Sequence, residues 1–272
     1  MVFHPPVAIV AKAGDSGKYK VGLPAWNMVL RGFLSGAFIA MGAALATVCS
    51  TGVQATDIAM RLGAASPGIA QLVLGAVFPV GLIITILTGA ELFTGDAMLA
   101  PMAAFIHKVS WAKVLNLWVW VYNGNFIGSV VFAYIMAYGP FVNFDAAGAA
   151  TVTVFGQRAV AIAAAKTSYV GTMGLWSVFL KAIACNWLVN LAVLLGICAE
   201  DAIGKIAGIW FPIFAFVASG FEHSIANMYF IPAGIFVTGI DPSLSVDTVN
   251  WVTMWTSNII PVTIGNIVGG VF

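Results

Sequence analysis

The chain has 272 residues, 61% of them apolar and 8% charged, with a mean hydropathy of +1.01. An ordinary soluble domain carries about 25% charged residues, so this much apolar sequence points to an integral membrane protein rather than one water-soluble core. A net charge of +1 leaves no basic face for nucleic acid.

In chain order, residues 1–26 form a short, moderately polar N-terminal segment with Lys12, Asp15, Lys18 and Lys20. A single transmembrane domain, 27–272, follows. Its apolar runs occupy 27–49, 69–106, 114–138, 174–198, 206–238 and 252–271. About 20 apolar residues cross a bilayer as a helix, so the second and fifth runs are too long for simple spans. Both carry an interruption. One reads Gly89-Ala90-Glu91-Leu92, followed by Met98 and Pro101; the other reads Gly220-Phe221-Glu222-His223, followed by Met228 and Pro232. A charge at a helix centre costs about 2.5–3.5 kcal/mol on insertion scales. Each run is therefore expected to be two half-helices around a bend, with the prolines ending or kinking the second half.

Three features recur in the same order in the halves 27–138 and 174–272. Arg31 matches Lys181, Gly89 and Glu91 match Gly220 and Glu222, and Gly124-Asn125-x-x-Gly128 matches Gly265-Asn266-x-x-Gly269. Three spans per half place the halves in opposite orientations. The expected fold is all-α, with six transmembrane helices in a 3+3 inverted repeat, the second and fifth broken, as in transport proteins whose site lies near the midplane. The Gly-Asn-x-x-Gly motifs, like Gly32 and Gly36, read as close-packing surfaces.

The outer connection, 139–173, contains an alanine-rich stretch, Gln157 to Lys166, expected to be a short helix capping the outer mouth. Lys12, Lys18, Lys20, Arg31, Lys108, Lys113 and Lys205 fall on one side and Arg61, Arg158, Lys166 and Lys181 on the other, which favours cytoplasmic N- and C-termini. Trp26, Trp111, Trp118, Trp176 and Trp210 fall near span ends, as interfacial aromatics do. Cys49, Cys185 and Cys198 have neither disulfide nor zinc-ligand spacing and read as small buried hydrophobes; no metal or cofactor is expected.

His223 is the foremost candidate for chemistry, because imidazole can donate a hydrogen bond to an anion or pass it a proton near neutral pH. Thr94 sits in the other break, either as a turn hydroxyl or facing a pathway. Glu91 and Glu222 read as structural, accepting from backbone N–H groups freed by the bends, and Asp96 as a residue near a membrane face. Phe78, Phe93 and Phe216 are core or pore constrictions; Asn186, Asn190 and Asn227 bond between helices or line water.

Gly89-Ala90-Glu91-Leu92-Phe93-Thr94-Gly95, Lys181 with Cys185-Asn186-Trp187-Leu188-Val189, Gly220-Phe221-Glu222-His223 with Ala226-Asn227-Met228 and Pro232, and Ile260-Pro261-Val262-Thr263-Ile264-Gly265-Asn266 together resemble the formate/nitrite transporter family, the formate transporters of formate-using methanogens in particular. The resemblance covers nearly the whole chain after residue 25. It implies an aquaporin-like fold, a homopentamer in the plasma membrane and one pore per subunit. It also implies a central His223 partnered by Thr94, constrictions at Phe78 and Phe216 and at Leu82 and Phe93, a path lined by Asn186, Val189 and Asn227, and a vestibule lysine, Lys166, that draws anions in. The implied substrates are small monovalent anions, formate first, with protons as a coupled partner; nitrite, hydrosulfide and lactate are alternatives. Two other readings stay open: an aquaporin-like small-solute channel, though no Asn-Pro-Ala pair stands at either break, and a hydrolase using Ser219 or Ser224 with His223.

Overall fold

The computed structural model describes residues 3–53 and 67–272. The N-terminal segment is a helix, α1 (Pro6–Lys20), followed by α2 (Ala25–Cys49); extended Pro5 and Pro24 precede them. The second run comprises α3 (Pro67–Val77), α4 (Val80–Thr88) and α5 (Phe93–Phe105), and the third is α6 (Trp111–Tyr138). In the connection, β1 (Val142–Phe144) pairs antiparallel with β2 (Ala150–Val152), Val142 opposite Val152, and leads into α7 (Val154–Thr167). Then come α8 (Gly171–Cys198), α9 (Ala202–Ala218) and α10 (Ser224–Ile240). The last element, α11, starts at Trp251–Thr253, widens into π-helix over Met254–Ile259 and continues through Ile260–Val271.

The architecture is mostly helical, and among the described residues the hairpin is the departure from an all-α reading. Four helical stretches, Ala25–Cys49, Gly68–Thr88, Trp111–Tyr138 and Gly171–Cys198, are long and apolar enough to cross a bilayer; Ala202–Ala218 and Ser224–Ile240 are apolar but shorter. Asp201 begins α9 by accepting the Gly204 N–H at 2.7 Å, a typical N-cap. Pro101 and Pro232 lie inside α5 and α10, neither of which they end.

Small residues set the helix spacing. A Cβ placed on Gly36 would fall 2.1 Å from the Asn125 carbonyl oxygen, and one on Gly128 would fall 2.0 Å from that of Phe33, so α2 and α6 touch backbone to backbone. The pair α8 and α11 repeats the arrangement, Gly265 against Phe179 and Gly269 against Ile183. Removing Cβ atoms lets dispersion contacts form along whole helices, the main cohesive force available among lipids.

The connection is more than a surface cap. Gly156, Ala159, Val160, Ala163 and Thr167 of α7 are buried, and the α7 backbone packs on Gly234 of α10. Helix α1 is also docked: His4 pairs with Glu200 at 2.9 Å, and Asp15 pairs with Lys108 at 2.5 Å, which holds the exposed Asp15 carboxyl below its ordinary range. Of the three free cysteines only Cys185 is buried; Cys49 is exposed and Cys198 partly so. Arg61 lies outside the described residues.

Gly36→Val should lower thermal stability by about 1–3 kcal/mol or prevent a monodisperse detergent preparation, as overpacking does. Gly239, where an added Cβ meets nothing within 4 Å, should accept alanine without loss. Thermal unfolding followed by circular dichroism reads both.

Candidate functional site

The backbones of the two breaks are built alike. Gly89 and Gly220 take φ of +74° and +70°, the left-handed conformation that only glycine adopts without strain. The next residue folds back in each case: Ala90 N–H donates to Thr85 O at 3.0 Å and Phe221 N–H to Phe216 O at 3.1 Å. Two extended residues follow, ending at Leu92 and His223, which precede α5 and α10. This backbone has lost its helical partners, and in a region without water each loss costs several kcal/mol.

Asparagine side chains replace the lost partners. Asn125 accepts from Phe93 N–H at 3.0 Å and donates to Glu91 O at 2.9 Å and Gly32 O at 2.8 Å. Asn266 accepts from Ser224 N–H at 2.9 Å and donates to Glu222 O at 3.0 Å and Ala182 O at 2.9 Å. Glu91 N–H reaches Arg31 O at 3.2 Å, and Glu222 N–H reaches Lys181 O at 3.4 Å. The glycines of the Gly-Asn-x-x-Gly motif pack helices, as its spacing suggests. Its asparagine is the backbone clamp, a role that the packing reading missed.

The glutamates do not serve the backbone N–H groups as expected; lysines take their carboxylates. Glu91 binds Lys20, which also stands 2.9 Å from Asp96, and Arg31 lies 3.6 Å from Glu91. Glu222 accepts from Lys166 and Tyr169 at 2.9 Å each, from Asn227 at 2.6 Å and from Asn258 at 3.4 Å. A buried carboxylate needs this compensation, because an unpaired one costs far more than its partners do. Asp96 is fully buried against Lys20. Lys20, Asp96, Tyr169 and Asn258 were not assigned these places from sequence, since the pairs join residues tens of positions apart without a local pattern.

The same two clusters face two cavities. One, of about 400 Å³, is lined by Phe78, Arg158, Lys166, Lys181, Phe216, Gly220, Glu222, His223 and Asn227. The other, of about 240 Å³, is lined by Lys20, Arg31, Leu82, Gly89, Glu91, Gly95, Asp96 and Lys205. Between their walls, Thr94 Oγ1 lies 3.0 Å from His223 Nε2. Thr94 directly precedes Gly95 of the smaller cavity, whereas His223 lines the larger. His223 Nδ1 accepts the Ala226 N–H at 3.1 Å and so caps α10. That amide fixes the tautomer: Nδ1 is the acceptor, and Nε2 carries the proton and donates to Thr94.

Phe216 stacks on the His223 ring at 5.8 Å and meets Phe78 edge-on at 5.8 Å. Asn186 donates to Thr94 O at 3.1 Å, and Val189 is fully buried one turn further along α8. Phe93 does not line either cavity. It is held edge-on by Tyr122 and Trp118, at 4.9 and 5.9 Å, under a groove on the outside of the bundle. Both His223 nitrogens are engaged away from Ser224, whose buried hydroxyl has no hydrogen-bond partner among the described residues, so His223 and Ser224 form no nucleophile–base pair.

Residues 7–272 match the family model described as formate/nitrite transporter. A probable formate transporter of Methanothermobacter thermautotrophicus is 41% identical over 98% of this chain and 93% of its own length. Formate channel BtFdhC of Bacillus thuringiensis is 37% identical, covering 99% and 92%. A solved pentameric formate channel with formate bound superposes with a TM-score of 0.73 at 30% identity, covering 90% of this chain and 92% of that one. A solved FNT family ion channel gives 0.80 at 25% identity, covering 97% and 95%.

Asn266→Leu should leave Ser224 N–H and the carbonyls of Ala182 and Glu222 unpaired, at about 1–3 kcal/mol for each buried group. The expected result is a clear fall in thermal midpoint with faster amide exchange around residues 221–225. Stability and exchange equal to the unmutated protein would contradict the clamp.

Proposed function

The chain belongs to the formate/nitrite transporter family, and from that membership we propose that it carries formate across the cell membrane through a pore in each subunit, along the line of the two cavities and past the Thr94–His223 contact. The matching hydrogen bonds of Asn125 and Asn266 support reading the bundle as a 3+3 inverted repeat of six spans in the aquaporin-like manner. The homopentamer rests on the likeness to a solved pentameric channel. Lys20, Arg31 and Lys205 share one cavity and Arg158, Lys166 and Lys181 the other, which fits the charge grouping that puts both termini in the cytoplasm.

The observation that carries the proposal is the hydrogen bond between Thr94 and His223, set between two cavities with cationic walls. Stripping water from an anion is costly, so the Phe78–Phe216 pair opposes a bare charge. At the contact, formate replaces Thr94 as acceptor of the Nε2 proton, and the threonine hydroxyl turns to donate to the substrate. With Nδ1 held by the Ala226 amide, His223 supplies a hydrogen bond, and the proton that neutralises formate comes from solution, entering the cavity as hydronium and leaving water behind. Formic acid then crosses the apolar stretch uncharged. Asn186, Val189 and Asn227 shape the walls of this path, and Leu82 with Phe93, whose ring Tyr122 and Trp118 hold in place, narrows its inner end. Nitrite and hydrosulfide, small anions of the same charge, are alternative cargoes of the same route.

His223→Phe removes both the donor and the helix cap; His223→Asn keeps a cap-forming side chain without the ring proton. Formate uptake into proteoliposomes should fall about tenfold in both, the scale of one lost hydrogen bond to a charged group. Uptake at the unmutated rate from pH 5 to 8 would contradict the role given to His223. Rapid osmotic shrinkage without formate uptake would instead favour a neutral-solute channel.

A further inference from the structure

Resting on the transport reading above, we propose that Arg158 is the residue of the larger cavity that captures the substrate, its planar guanidinium binding a carboxylate through two parallel N–H donors. Lys166 does not have that freedom. It stands 2.9 Å from Glu222 and is neutralised by it. Lys181 donates to the Tyr169 hydroxyl at 3.1 Å and lies over that ring, 4.9 Å from its centroid. Glu222 is the one carboxylate among the residues lining this cavity, which Arg158, Lys166 and Lys181 face from α7 and α8. Arg158 has no ion-pair or hydrogen-bond partner among the described residues, and its Nε is sealed from solvent without an acceptor.

The helix geometry separates the two α7 cations. Arg158 and Lys166 are two turns apart on the same face, about 12 Å along the axis. Glu222 and Tyr169 gather around Lys166, which leaves Arg158 to a ligand from outside the chain. The sealed Nε has no acceptor of its own, so the two terminal Nη groups present the fork to the cavity, and their parallel N–H donors match two carboxylate oxygens in one plane. The ligand class is therefore a small planar oxyanion with two acceptors on one edge. A lysine at the same place would offer charge without the fork.

The test uses the full-length protein in proteoliposomes with labelled formate, comparing Arg158→Lys and Arg158→Gln with the unmutated chain. Arg158→Lys should raise KM about fivefold to tenfold and leave the maximal rate unchanged, and Arg158→Gln should raise KM further and weaken the inhibition of uptake by added salt. An unchanged KM in Arg158→Lys would overturn the fork, since charge alone would suffice. A fall in maximal rate at constant KM in both variants would also overturn the proposal, by making Arg158 a packing residue. Saturation-transfer NMR with formate on the detergent-solubilised protein reads capture separately from transport. If the unmutated protein binds formate without moving it, the transport reading fails, while weaker binding in Arg158→Gln still upholds the capture site and equal binding removes it.

Discussion

Backbone that leaves a helix inside an apolar bundle must find new hydrogen-bond partners, and the rest of this structure depends on how that is met. Residues 89–92 and 220–223 have neither a helical ladder nor a sheet to turn to. One carboxamide per break, Asn125 or Asn266, accepts from the N–H at the start of the second half-helix and donates to the carbonyl two residues earlier. Because each amide also binds a carbonyl of α2 or α8, the break is fixed to the helix pair that glycine contacts hold together. Packing and polar satisfaction are thus one device. The frame is close because it lacks Cβ atoms, and its closeness brings the amide within reach.

Once the backbone is satisfied, the glutamates are free to take cations. Each binds a lysine from outside the repeated helices, Lys20 from the N-terminal helix and Lys166 from the connection. That gives α1 and α7 equivalent positions at opposite cavities and explains why both segments dock instead of trailing as tethers. The charges in the walls stay nearly balanced where they are deepest, and unbalanced where Arg158 stands. The backbone symmetry meets a chemical difference at one position. Leu92 and His223 occupy the same place in the two breaks, with φ of −116° and −115°, and only the second can bond across to Thr94.

Much of this was legible in the sequence because the signals are local. A glycine and a carboxylate inside an apolar run mark a break wherever they occur, and two such marks in order reveal the halves. His223 and Thr94 stood out for the same reason, as polar groups beside those marks. The partners were not legible. Lys20 lies 71 positions from Glu91, and Asn125 lies 32 from Phe93, so no periodicity links them. Phe93 shows the same limit: it stands beside the break in sequence, but the rings of Tyr122 and Trp118 that hold it come from α6. The glutamates were given the backbone role because an exposed N–H attracts the nearest carboxylate on paper. In three dimensions the amide arrived first, with a donor and an acceptor on one group.

The central claim is that formate passes within hydrogen-bond reach of His223 Nε2. Rotational-echo solid-state NMR on protein labelled with 15N-histidine, reconstituted in lipid with 13C-formate, measures that separation directly. A dipolar coupling corresponding to about 4 Å or less, one bond beyond a normal hydrogen bond, is the result predicted. No coupling to the His223 ring at saturating formate, with formate bound elsewhere in the cavities, would contradict the account.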